Sequence, residues 1–143
     1  MILSANQLFS DGQAITATGL STNVIDTGVR GTPYGAAAAL TGDVGKGNKV
    51  PVLIQVTEAF NNLTSLTVAI ETGATASLGT VLLSQNIALA DLEVGKTLNL
   101  DVLPEGITER YLGVRYTVTG TAPTAGIVTA GISMGNQSNV TGV

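Results

Sequence analysis

At 143 residues the chain is long enough to bury the core of one domain. It has no cysteine and no histidine, which removes disulfides, thiol chemistry, the commonest metal ligand and the commonest general base. Charged residues are 11% and the net charge is −4, which argues against a nucleic-acid binder, since that needs a basic stripe to neutralise phosphates.

Mean hydropathy is positive, yet no apolar run approaches the ~20 residues of a membrane span. The apolar residues are spread over short stretches and Gly/Ala/Thr-rich loops, a pattern that, with so few charges, points to a surface partly covered by something. The first residues lack the basic region and apolar core of a signal peptide.

In chain order, Met1–Asp11 reads as an arm. Ile2, Leu3, Leu8 and Phe9 are apolar, while Ser4, Asn6 and Gln7 break any clean period. Such an arm packs either on its own domain or on a neighbour, and the sequence leaves both open. Gln13–Thr18 alternates as a strand, and Ser21–Thr27 reads as a short strand or edge segment. Residues 28–49 hold six glycines, Pro33 and the run Ala36–Ala39. Four alanines are too few for a helix, so this is a long loop with one strand expected near Tyr34–Leu40.

The clearest alternation follows. Val52, Ile54 and Val56 share one face; Leu66, Val68 and Ile70 share another, with Thr67 and Glu71 opposite. Leu98, Leu100 and Val102, and then Leu112, Val114, Tyr116 and Val118, repeat the pattern. These four stretches form the walls of one sandwich. Between them lie a strand at Thr80–Gln85, with Val81 and Leu83 on one face, and a connection at Ile87–Lys96 with one helical turn ended by Gly95. Thr97–Leu103 is a strand and Pro104–Gly106 turns the chain. Arg110–Thr119 and Ile127–Met134 are expected as a hairpin across residues 120–126, and Gly135–Val143 is a polar tail. The expected fold is all-β, an antiparallel β-sandwich of jelly-roll type, in a single domain over residues 1–143.

Few motifs suggest chemistry. Gly131–Gly135 has the G-x-S-x-G form, but a nucleophile elbow needs a following helix and a histidine base. Its glycines read instead as sites of close backbone approach. Gly95-Lys96-Thr97 resembles the end of a phosphate loop, yet Ala90 stands where the first glycine is required and a strand follows. Glu105 and Glu109 read as solvated loop carboxylates, and the Asn62, Asn136 and Asn139 sequons read as chance in a Thr/Asn-rich chain. No enzyme activity, cofactor or metal is expected. The segment Arg110–Tyr116 differs, because Tyr111 and Arg115 share its second face. Tyrosine and arginine are enriched in protein interfaces, and a local ion pair of Arg115 with an acid is the competing reading.

Several blocks carry a resemblance: Met1–Leu3, Asn6–Asp11, Gln13–Thr16 and Ser21–Asp26 at one end, and Arg110–Thr121 with Gly126–Gly131 at the other. They resemble the corresponding segments of Bordetella-phage-type capsid cement proteins. The resemblance implies a jelly-roll protein on the outer surface of a tailed-phage head. There it would bind the major capsid protein as a small homo-oligomer, a dimer before a trimer, and stabilise contacts between shell subunits. Interface candidates are Ile2, Leu3, Leu8, Phe9, Tyr34, Arg110, Tyr111 and Arg115. The alternative function is a carbohydrate- or receptor-binding sandwich of a phage fibre or secreted protein. The absence of tryptophan and an aromatic content of 3% disfavour it, because sugar sites use aromatic platforms.

Overall fold

The computed structural model describes residues 3–135, and it is all-β apart from one 3₁₀ turn at Leu89–Asp91. Its strands are β1 (Leu3–Ala14), β2 (Gly19–Leu20), β3 (Ile25–Asp26), β4 (Val52–Glu58), β5 (Leu63–Gly73), β6 (Thr80–Ala88), β7 (Tyr111–Gly120) and β8 (Ile127–Ser133). One sheet runs β1-β8-β4. The other runs β2-β7-β5-β6, with β3 also on β7. All pairings are antiparallel.

The chain changes sheet repeatedly. Residues 97–103 lie along the free edge of β4, bridged at Gln55–Thr97 and Pro51–Val102. With that segment as the outer strand of the first sheet, and β2 and β3 as one interrupted strand of the second, the order is that of a jelly roll.

The core fills the space between the sheets. Phe9, Ile54, Val56 and Val128 from one side meet Leu66, Val68, Ile70, Leu112, Val114 and Tyr116 from the other, all at most 1% exposed. Strict alternation is what places them there. In the β5–β7 ladder Val68 faces Tyr116 and Ile70 faces Val114, so apolar side chains meet apolar ones along one face.

Several expectations are corrected. The Met1–Asp11 segment is not an arm: from Leu3 it is β1, paired along β8 of its own sandwich. Residues 15–18 fall outside any strand, and no strand forms at Tyr34–Leu40. β7 and β8 are not a hairpin, because residues 121–126 carry the chain from one sheet to the other. Residues 97–103 are too irregular for a named strand: the pairing with β4 slips by one residue between the two bridges. That slip buries Leu103 behind Leu98 and Leu100 in place of Val102. Finally, Val81 and Leu83 do not share a face. Leu83 pairs with Ile70 but Val81 pairs with Glu71, so a bulge at Leu82 turns Val81 to the outer side. The short helical turn is present, but Leu92 ends it; Gly95 sits in the next turn, closed by Lys96 N–H on the Glu93 carbonyl. Ile2, the Asn136 and Asn139 sequons and the tail beyond Gly135 lie outside the described residues.

Candidate functional site

The part of the surface with the most exposed apolar side chains is the segment between β3 and β4. Val29 is 78% exposed, Leu40 60%, and Tyr34 fully exposed. The segment is not a loose coil. The Leu40 amide donates to the Gly31 carbonyl at 3.0 Å, the Ala36 amide to the Pro33 carbonyl at 3.0 Å, and the Arg30 guanidinium to the Gly42 carbonyl. These bonds fold residues 30–42 into a tongue.

Two carboxylates fix the base of the tongue. On the β3 side, Asp26 takes a two-pronged contact from Arg110, with Nε and Nη2 at 2.7 and 2.6 Å. A paired geometry of this kind fixes orientation as well as distance. Asp26 also accepts the Gly28 amide at 2.8 Å, and the Thr27 amide and hydroxyl both donate to the Arg110 carbonyl. The Arg110 side-chain bonds, followed by the Gly28 amide, hold the Asp26 carboxyl down at about 2. On the β4 side, Asp43 accepts the amides of Gly106 at 2.6 Å, Ile107 at 2.9 Å and Gly45 at 3.0 Å. Its carboxyl is therefore held below the usual range, chiefly by the Gly106 amide. Gly45 seats this corner: a Cβ there would overlap the Pro104 carbonyl oxygen.

The sequence-derived interface residues fall into separate places. Phe9 is fully buried in the core, Leu8 is half-buried over Gly131, and Leu3 is half-buried opposite Ser133. Tyr34 is at the tongue. Arg110 braces the tongue through Asp26 and stacks over the Tyr111 ring, 5.1 Å from its centroid. Arg115 pairs within its own sheet: Nε lies 2.8 and 3.0 Å from the two oxygens of the buried Glu71, and Nη2 donates to the Ser77 carbonyl. The structure thus gathers Tyr34, Arg110 and Tyr111 onto the tongue and its base, and leaves Leu3, Leu8, Phe9 and Arg115 elsewhere. Sequence reasoning missed Val29, Leu40, Asp26 and Asp43. Large apolar residues within a long glycine- and alanine-rich loop are the signal that could have found the first two.

The motifs with a chemical look are accounted for by packing. Gly131 lets β1 pass: a Cβ would come within 2.8 Å of the Leu8 side chain and 3.1 Å of the Gln7 carbonyl. Ser133 is buried, with its amide on the Pro51 carbonyl. Among the described residues no cluster of acids could hold a metal ion. Two shallow polar grooves of about 190 and 220 Å³ flank Thr97–Asn99. Both are below the ~300–1,000 Å³ usual for small-molecule sites, and neither has an aromatic residue in its lining.

The molecule is thus a jelly-roll sandwich whose distinctive surface is a braced, apolar tongue. The chain belongs to the Bbp16 family, which it matches over residues 9–132. The matched range includes the Gln13–Thr16, Ser21–Asp26 and Arg110–Gly131 blocks, and it is consistent with a Bordetella phage protein. None of the curated proteins matches the chain.

Proposed function

We propose that this chain is a structural protein of the virion. On this reading it is a capsid cement protein that binds the outer surface of the phage head as a homo-oligomer, with a dimer favoured. It stabilises contacts between major capsid protein subunits and catalyses nothing. The observation that carries the reading is the tongue: large apolar side chains held out in solvent on a braced base, in a member of a family consistent with a phage protein. Exposed apolar groups on a fixed scaffold cost little ordering entropy when a partner covers them. Standard specific interfaces bury roughly 1,600 Å², and an oligomer that touches several shell subunits gains avidity from simultaneous engagement.

Co-sedimentation tests it. Purified protein mixed with heads that lack it should pellet in a fixed copy number per head and raise the temperature at which the heads break open. Protein that stays in the supernatant at all concentrations would refute the reading.

A further inference from the structure

The tongue segment is charged differently from the rest of the molecule. Residues 28–49 contain Arg30, Lys46 and Lys49, three of the six basic residues in the chain, and Asp43 is their one acid among ten. Three bases against one acid give the segment a net charge of +2 and leave the other residues at −6. In space the base also holds Asp26, paired with Arg110, and Glu105, whose backbone lies against Gly45. Asp43 is turned into the base, where three main-chain amides occupy it, whereas Lys46 and Lys49 are exposed. Residues 31–42 carry no charge at all and consist of small and apolar residues around Tyr34 and Leu40. The molecule therefore presents an uncharged apolar tip above a cationic collar, on an otherwise acidic body.

We infer that this tongue docks into an apolar recess rimmed by acidic side chains on the shell protein, with Tyr34 as anchor and Lys46 and Lys49 as the charge contacts. The inference rests on the head-binding reading above and names the surface and partner chemistry for it. Charge complementarity selects the partner: an acidic rim attracts the collar while the body, at −6, is held off, so docking has one orientation. The tip needs an apolar recess because Tyr34, Val29 and Leu40 have no apolar cover of their own. A tyrosine anchor in a desolvated pocket, with charges at the rim, is a common arrangement of interface energetics.

The test uses the full chain and heads that lack it. The unmodified protein, Tyr34→Ala and the double substitution Lys46→Glu with Lys49→Glu are compared by co-sedimentation, at about 0.05 and about 0.5 M salt, where the screening length shortens severalfold. Each variant should bind heads at least about tenfold more weakly, and binding of the unmodified chain should weaken with salt. Oligomeric mass should be unchanged in both variants. If the unmodified chain fails to pellet, the head-binding reading itself fails. If it pellets, but both variants pellet equally well and salt has no effect, the tongue inference alone is overturned. It is also overturned if the substitutions change the oligomeric mass and not head binding, since a second copy then covers the tongue. Salt-sensitive binding of the unmodified chain to phosphatidylserine vesicles, lost in the variants, would overturn it too. The salt comparison needs no variant, so the inference stays refutable even if a substituted chain folds poorly.

Discussion

The hydroxyl of Tyr116 lies 2.8 Å from the hydroxyl of Ser10, both buried, and this bond joins the two sheets of the sandwich. It continues as a chain. Ser10 donates to the Gln13 side-chain oxygen at 2.7 Å; that oxygen also accepts the Thr22 amide and hydroxyl, and the Gln13 side-chain nitrogen donates to the Leu20 carbonyl. β1 is thereby tied to β7 and to the segment after β2. A buried polar network that is fully paired fixes one arrangement of the elements around it.

Tyr116→Phe removes this link while keeping the ring, and should lower stability by about 1 kcal/mol, or about 3 °C in thermal midpoint for a chain of this size. The alkaline limb gives a second reading. Burial pushes the Tyr116 phenol well above its ordinary value, so above a phenol's usual pKa of about 10 the unfolded chain releases a proton that the folded chain keeps. Stability from this group is complete below that pH and falls as pH rises past it. Thermal melts of the wild type should decline more steeply above about pH 10 than those of Tyr116→Phe.

β1 is the element whose role changes most between sequence and structure, and Phe9 tests it. A fully buried phenylalanine cut to alanine typically costs about 3–5 kcal/mol. Phe9→Ala should therefore shift the denaturant midpoint strongly, and removal of residues 1–9, which takes Phe9 with it, should lower the thermal midpoint by at least about 10 °C. A deletion variant that melts like the wild type would contradict the pairing of β1 along β8.

The strands that line the core were legible because large apolar residues alternate along their inward faces, even though β4 also buries Leu53 and β5 Ala69 on the other face. Leu66, Val68 and Ile70 needed no more than a period of two. β1 hid because its pairing with β8 shifts register three times, and the residues that break its pattern, Ser4, Asn6 and Gln7, are exposed. The sheet to which β8 belongs was hidden for another reason: a six-residue link can close a hairpin or cross between sheets, and the pairing partner alone decides. The tongue was legible as a loop from its glycines, but its bracing was not. Asp43 meets amides 63 and 64 positions away, and nothing in its neighbours marks an acid that will be used by the main chain.

The Asp26–Arg110 pair predicts a titration. Asp26 is exposed, so its effect is read at the residue and not as global stability. Its folded pKa is depressed, so what it contributes is complete above the ordinary carboxylate range and is lost as pH falls toward about 2. Carboxyl chemical shifts in the wild type should place Asp26 near that value, and Arg110→Ala should move it up toward the ordinary range. An unchanged titration in the variant would mean the two side chains are not paired in solution.

The bracing of the tongue by Asp43 has a signature apart from stability. Its carboxylate accepts the Gly106 and Ile107 amides, so Asp43→Ala leaves both without that acceptor. Those two amides should exchange with solvent at least about tenfold faster, while amides of β5 and β7 should keep their protection, because their ladder takes no bond from this corner. Gly45→Ala should reach the same state by a different route, since its added Cβ overlaps the Pro104 carbonyl oxygen and forces the corner apart. Both substitutions leave Tyr34, Lys46 and Lys49 in place. Weaker head binding in both would therefore come from freeing the tongue, which must then be ordered at the moment of docking. Faster exchange at 106 and 107 with undiminished head binding would show that the tongue acts without its brace.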